Sequence, residues 1–155
     1  PPAYLNDYIR RNGVPEKPGL HEFLSWLKEH SIKVAVATST TRRVAEDYWK
    51  QSGIDQYINA SVCGDEVINS KPDPEIFLKA ASLLKVPIAA CIVAEDSING
   101  LKAARAAGAI SCMIPDLTPY TKELFPFCDY VSPSLLACKE ILLQTPEADK
   151  LKSWK

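Results

Sequence analysis

The stretch "CIVAEDSINGLKAARAAGA", residues 91–109, decides the fold because it joins two different patterns without a linker. The apolar run over 89–94 is typical of a buried strand, and two adjacent acids, Glu95 and Asp96, follow it. Small residues then recur over 98–107 and favour a helix that packs closely. We therefore predict a strand, a turn that carries two carboxylates, and a helix lying against the sheet.

The same order of strand and then helix recurs along the chain. Short β-branched runs predict strands, and amphipathic segments between them predict helices. Such alternation is typical of a parallel sheet covered on both faces, a doubly wound α/β domain with three α/β/α layers. The predicted strands are 33–38, 60–63, 89–94, 110–114 and 129–132; the predicted helices are 4–12, one around Leu20 to Leu27, 42–52, 74–85, 98–107 and 134–143.

Composition limits the classes of protein that this chain can represent. Its 155 residues are 46% hydrophobic and 24% charged, which indicates a soluble globular domain. The net charge of -1 gives no support to a nucleic-acid or anionic-membrane partner. The five cysteines include no C-x-x-C pair, which favours buried free thiols in a reducing compartment. No apolar run approaches a membrane span and no signal peptide is visible, so we expect a cytoplasmic protein.

Polar residues follow three of the predicted strands or their loops, at the edge of the sheet where parallel α/β proteins bind ligands. Thr38–Thr41 follow "VAVA" and could cradle an anion with hydroxyl and backbone N–H groups, or simply cap the next helix. Lys71 precedes Pro72 and a helix start at Asp73, where its ammonium could neutralise an anion. A solvated surface lysine is the simpler alternative.

Glu95 and Asp96 form the third polar group. Two carboxylates this close repel each other and raise each other's pKa unless a cation lies between them. Mg²⁺ prefers oxygen ligands and would remove the conflict. The alternative is that Asp96 or Ser97 caps the following helix while Glu95 faces solvent.

These three groups, in this order, resemble the haloacid dehalogenase superfamily of phosphohydrolases and phosphomutases. "VAVATST" is similar to its second motif, "SKPDPEIFLKAASLL" to its third, and "VAEDSINGLKAARAAGA" to the fourth in the β-phosphoglucomutase-like subgroup with a helical cap. The resemblance runs from about residue 14 to about residue 132. It implies a Rossmann-like core over 19–155 and the end of a cap helix with its linker over 1–18.

The resemblance also implies roles for the strand-end residues. Thr38 would hydrogen-bond the transferred phosphoryl group, with help from the backbone of Ser39, and Lys71 would balance the charge. Glu95 and Asp96 would hold Mg²⁺. The implied activity is Mg²⁺-dependent hydrolysis of a small phosphorylated metabolite, such as a sugar phosphate, through an aspartyl-phosphate.

The chain departs from the family at its first motif. That motif is an Asp-x-Asp at the end of a central strand, with the nucleophile and the acid/base, and no Asp-x-Asp occurs in this sequence. We therefore expect the chain alone to be inactive. We also expect the central strand, between those ending at Thr38 and Glu95, to come from a missing N-terminal segment of the same protein.

Three other functions compete with the phosphatase. One is a β-phosphoglucomutase, which returns the phosphoryl group to a sugar. Another is a non-catalytic binding or regulatory module of the same fold, which the absent first motif favours only if the chain is complete. A receiver domain also combines acids, a hydroxyl and a lysine, but its acids precede its lysine, whereas here Lys71 precedes Glu95 and Asp96.

Overall fold

The computed structural model describes residues 3–6, 19–115 and 121–143. Six strands form one sheet in which every neighbouring pair is parallel. The strands are β1 (Ala3–Asn6), β2 (Val34–Ala37), β3 (Ala60–Val62), β4 (Cys91–Glu95), β5 (Ile110–Met113) and β6 (Tyr130–Val131). Their order across the sheet is β3-β2-β1-β4-β5-β6. The helices are α1 (Leu20–Glu29), α2 (Arg42–Ser52), α3 (Glu75–Leu84), α4 (Ile98–Ala107) and α5 (Cys138–Leu143).

Helices cover both faces of the sheet, because successive strand residues point to opposite sides. Val34 and Val36 of β2 pack into a core with α1, α2 and α5. Ala35 and Ala37 of the same strand pack into a second core with α3 and α4. The predicted doubly wound, three-layer α/β/α fold is therefore confirmed, and its strands β2, β4 and β5 are buried along their whole length, as inner parallel strands require.

Nearly all the predicted helices and strands from residue 19 onward are confirmed, with ends shifted by up to two residues. The last helix differs most, since α5 begins at Cys138 rather than at residue 134. Four of the five cysteines are buried and all five are free, as expected. Burial raises the pKa of the Cys91 thiol to about 12, so this thiol stays protonated at neutral pH. Within the three described ranges, no helix has the length and apolar character to cross a bilayer.

The N-terminal helix predicted over 4–12 is wrong for residues 4–6, which belong to β1. This strand lies between β2 and β4 and pairs with both, Asn6 being opposite Val36 and Ala94. The two neighbouring strands therefore do not pair with each other, as expected, but the segment between them comes from this chain. Residues 7–18, the rest of the predicted cap end and linker, lie outside the described residues; the predicted division of the chain at residue 18 stays a prediction.

The physical reason for this difference is backbone pairing. An apolar strand on each side of an empty position would leave two rows of N–H and C=O groups without partners. Four residues in an extended conformation satisfy both rows, whereas an isolated short helix is marginal in water. The helical periodicity of "YLNDYI" can be recognised within six residues. The strand pairing that overrides it depends on β2 and β4, which are distant in the sequence.

Candidate functional site

Lys71 joins the ends of two strands at the carboxyl edge of the sheet. Its ammonium nitrogen donates to the carbonyl of Ala37 at 3.1 Å and to Glu95 Oε2 at 3.0 Å. It also lies 4.9 Å from the centre of the Phe77 ring, within cation–π range. The lysine side chain is only 6% exposed and that of Glu95 is fully buried. Lys71 is therefore a buried, positioned charge and not a solvated surface lysine.

Thr38 follows β2 directly and is fully buried. Its Oγ1 accepts a hydrogen bond from the backbone N–H of Thr40 at 3.0 Å, which closes a tight turn before α2. Thr41 stands before the first residue of α2 but makes no side-chain cap. The helix-cap alternative thus does not account for Thr38, and within the described ranges its hydroxyl proton is not used in another hydrogen bond.

Glu95 is the last residue of β4, and its carboxylate folds back over the start of α4. Oε1 accepts from the backbone N–H of Asp96 and from Ser97 Oγ, each at 3.3 Å. A Cβ at Gly100 would overlap this carboxylate, so only glycine fits at that position. The helix cap itself is Ser97, whose Oγ accepts from Gly100 N at 3.1 Å. The capping alternative is thus right for Ser97, but Glu95 does not face solvent.

The donor set fits a divalent cation of the Mg²⁺ type. Asp96 is 1% exposed and lies beside Glu95 at the same edge of the sheet. Mg²⁺ is commonly held by one or two carboxylates together with waters and substrate phosphate, so a third protein carboxylate is not required. Across the described ranges no group of three or more His, Cys, Asp or Glu residues could hold a metal. Because Lys71 already binds Glu95, Asp96 is the better candidate ligand.

A second loop packs against the Thr38 turn. It includes the short helical turn Gly64–Glu66 after β3. Arg42, the first residue of α2, binds the Glu66 carboxylate with two nitrogens, Nε to Oε2 at 2.6 Å and Nη2 to Oε1 at 2.8 Å. The hydrogen bond from Arg42 is the main cause that lowers the pKa of Glu66 to about 2. This pair therefore stays ionised throughout the physiological range.

Glu66→Gln is expected to lower the free energy of unfolding at pH 7 by less than about 1 kcal/mol, because Glu66 is partly exposed. A carboxyl with a lowered folded-state pKa contributes stability above its unfolded value of 4.5, and the contribution is lost as the pH falls towards about 2. The difference between wild type and variant should shrink over that window. Urea unfolding between pH 2.5 and 7 measures it. The exposed Glu123→Gln is the control, and a difference that does not shrink between pH 4.5 and 2.5 would contradict the assignment.

The structure thus brings together three of the five predicted site residues by direct contact or chain adjacency. Lys71 bonds Glu95, and Asp96 adjoins Glu95. Thr38 adjoins Ala37, the carbonyl partner of Lys71, and Ser39 is exposed beside it. Sequence reasoning missed the Ala37 carbonyl, the Phe77 ring and the Arg42–Glu66 pair. Of these, only the position of Arg42 directly after the threonines offered a signal.

The fold and the strand-end site define a doubly wound α/β protein with its polar residues at the carboxyl edge of the sheet. The family model of the haloacid dehalogenase-like hydrolases matches residues 3–108. The chain belongs to this family.

Known proteins agree with that assignment. A phosphorylated carbohydrates phosphatase of Thermotoga maritima is 42% identical over 95 residues, which cover 61% of this chain and 44% of that protein. The structure of protein CbbY of Rhodobacter sphaeroides with phosphate matches with a TM-score of 0.70 at 30% identity. The match covers 77% of this chain and 54% of the CbbY chain. A β-phosphoglucomutase of Clostridium difficile shares the fold, with a TM-score of 0.73 at 24% identity. The match covers 90% of this chain and 57% of the mutase chain. The chain spans about half the length of these proteins.

Proposed function

We propose that the intact protein is a Mg²⁺-dependent phosphohydrolase that acts on a small phosphorylated metabolite, such as a sugar phosphate, through an aspartyl-phosphate. The observation that carries the proposal is the buried Lys71 ammonium, held between the Ala37 carbonyl and the Glu95 carboxylate. It puts one fixed positive charge beside Thr38 and Asp96. The phosphatase of T. maritima that this chain resembles supports a phosphorylated carbohydrate as the substrate class.

Phosphoryl transfer depends mainly on positioning and on neutralising charge, and the site residues divide that work. The Thr38 hydroxyl donates to a phosphoryl oxygen, and the backbone N–H of Ser39 donates to another. Lys71 offsets the negative charge that develops during transfer. Asp96, with Glu95 behind it, would hold Mg²⁺, which when bound would neutralise phosphoryl oxygens.

We assign the role of nucleophile to no residue of 1–155, because the sequence contains no Asp-x-Asp. We propose that a segment of the intact protein outside residues 1–155 supplies the nucleophile and the acid/base. The chain alone should then release no phosphate. The proposal includes a cytoplasmic location, which the free thiols favour.

Two alternatives keep specific support. A β-phosphoglucomutase would use the same site, and product analysis with hexose phosphates separates it from a phosphatase. A non-catalytic module of the same fold would be favoured by the absent Asp-x-Asp only if residues 1–155 were the whole protein. An assay of the full-length gene product on p-nitrophenyl phosphate, with Mg²⁺ and with EDTA, decides: no Mg²⁺-dependent release would overturn the phosphohydrolase.

Metal binding is testable on the 155-residue chain itself. Mn²⁺, a paramagnetic substitute for Mg²⁺, should broaden the amide NMR signals of residues around Asp96 and little else. Asp96→Asn should weaken Mn²⁺ binding at least about tenfold, because a neutral amide is a poorer ligand for a hard cation. Asp47→Asn on the exposed face of α2 is the matched control. Equal binding by Asp96→Asn and wild type would refute the proposed ligand.

A further inference from the structure

We propose that Arg42 is a positioning residue. It holds the Thr38–Thr41 turn, which carries the proposed phosphate contact, in a fixed relation to the loop that leads to Lys71. This inference rests on the proposed function. It assigns Arg42 no contact with substrate, although an arginine directly after a run of hydroxyl residues is an obvious candidate for binding phosphate.

The hydrogen bonds of Arg42 decide between these two roles. A guanidinium has five N–H donors. Besides the two bonds to Glu66, Nη1 donates to Glu46 Oε1 at 3.1 Å and to Ser61 Oγ at 3.0 Å. Nη2 donates to the Ser61 carbonyl at 3.1 Å. All five donors are therefore engaged within the protein, and Arg42 could bind an anion only by giving up at least one of its bonds to Glu46, Ser61 or Glu66.

The network is placed where it fixes the Thr38 turn. The loop after β3 touches the turn backbone to backbone: Gly64 N donates to Thr40 O at 2.9 Å, and a Cβ at Gly64 would overlap the carbonyl of Ser39. Asp65 Oδ1 accepts from the backbone N–H of Arg42 at 3.1 Å. Arg42 thus bonds the same loop through both its side chain and its backbone, and the turn cannot move away from the loop while these bonds hold.

The other side of the loop is tied to the helix that follows Lys71. Lys79 of α3 donates to the carbonyl of Glu66 at 2.6 Å. Glu75, the first residue of α3, accepts from the backbone N–H of Ile68 at 2.8 Å. The loop is therefore bonded to α2 through Arg42 and to α3 through these two residues. Since Lys71 lies between Ile68 and α3 in the chain, Arg42 helps to fix the backbone that leads to Lys71, while the Ala37 carbonyl and Glu95 hold its ammonium.

The test is a titration of the 155-residue chain with inorganic phosphate in the presence of Mg²⁺, followed at the amide signals of Thr38–Thr41. Arg42→Ala should weaken phosphate binding about tenfold by loosening the turn. Arg43→Ala is the matched control, because it removes the same charge from the next residue, which is exposed. Amide hydrogen exchange is the second readout: Gly64 should lose protection in Arg42→Ala, whereas the amides of β5 should keep theirs.

Each outcome bears on a different claim. Loss of binding in Arg42→Ala together with faster exchange at Gly64, and neither change in Arg43→Ala, supports the positioning role. Equal loss in both variants would show a general charge effect and overturn it, as would unchanged binding in Arg42→Ala. If the amides of all strands exchange quickly in Arg42→Ala, that variant is destabilised as a whole and Glu66→Gln is used instead. Glu66→Gln is expected to weaken phosphate binding about threefold. A wild-type chain whose Thr38–Thr41 signals ignore phosphate would overturn the proposed phosphate site as well.

Discussion

Lys71→Met is expected to lower the free energy of unfolding by about 3–5 kcal/mol, the cost of removing one partner from a buried ion pair. Methionine keeps most of the side-chain length beside Phe77, so the loss reports mainly on charge. The variant leaves the carboxylate of Glu95, which is fully buried, without the ammonium 3.0 Å away. Urea denaturation at pH 7 measures the difference.

The double variant Lys71→Met/Glu95→Gln separates charge from packing. A neutral amide costs less to bury than a carboxylate, so the double variant should recover a large part of the lost stability. Lys79→Met is the control, since Lys79 pairs with Glu75 but is half exposed and should cost less than about 1 kcal/mol. If Lys71→Met lowers the free energy of unfolding no more than Lys79→Met does, the Lys71–Glu95 ion pair does not stabilise the fold as expected.

Gly100→Ala is expected to destabilise the protein by about 1–3 kcal/mol, the range for overpacking a filled core. Helix propensity alone would make this variant more stable, because alanine is favoured over glycine inside a helix by about 1 kcal/mol. A loss of stability therefore points to the overlap. The new methyl group would overlap the Glu95 carboxylate, which is fully buried and is bonded to Lys71 and Ser97. Thermal or urea unfolding of the variant gives the sign directly.

Gly108→Ala, at the other end of the same helix, provides the comparison. Apart from its chain neighbours, no described residue has an atom within 4 Å of a Cβ there, and the expected cost arises from the positive φ of 85°. That cost is about 1 kcal/mol and should leave the site unaffected. Gly100→Ala should also weaken Mn²⁺ binding at Asp96, whereas Gly108→Ala should not. A stabilising Gly100→Ala would mean that Glu95 does not occupy the position described.

The stretch over 91–109 was predictable because its signals are local. The apolar run, the serine cap, the small residues of the helix and the glycine stop lie within twenty positions, and each reflects a short-range preference. Topology then brings the ends of parallel strands to one edge, so the proximity of Thr38 and Glu95 also followed from the pattern. The space left by the missing side chain of Gly100 could be expected from the sequence. That the Glu95 carboxylate fills this space could not.

The features that sequence reasoning missed depend on contacts between distant positions. Arg42 and Glu66 are separated by 24 residues, and nothing in either neighbourhood indicates the other. The strand at Ala3–Asn6 depends on pairing with β2 and β4, which a helical periodicity cannot reveal. Likewise, two adjacent acids suggest a cation, but only the fold shows that the cation beside Glu95 is the ammonium of Lys71. Because Glu95 is bonded to Lys71, Asp96 is the residue that we propose to contact the metal.

The bond between Arg42 and the Ser61 carbonyl has a consequence for association between molecules. Among the described strands, β3 lies at one edge of the sheet. Val62 turns its carbonyl to β2, where it accepts from Thr38 N at 3.0 Å. Ser61 therefore turns its carbonyl outward, where a strand of another molecule could pair with it. The guanidinium occupies that acceptor at 3.1 Å and sets a charged group across a strand of only three residues. We therefore expect this edge of the sheet to pair poorly with a strand of another molecule.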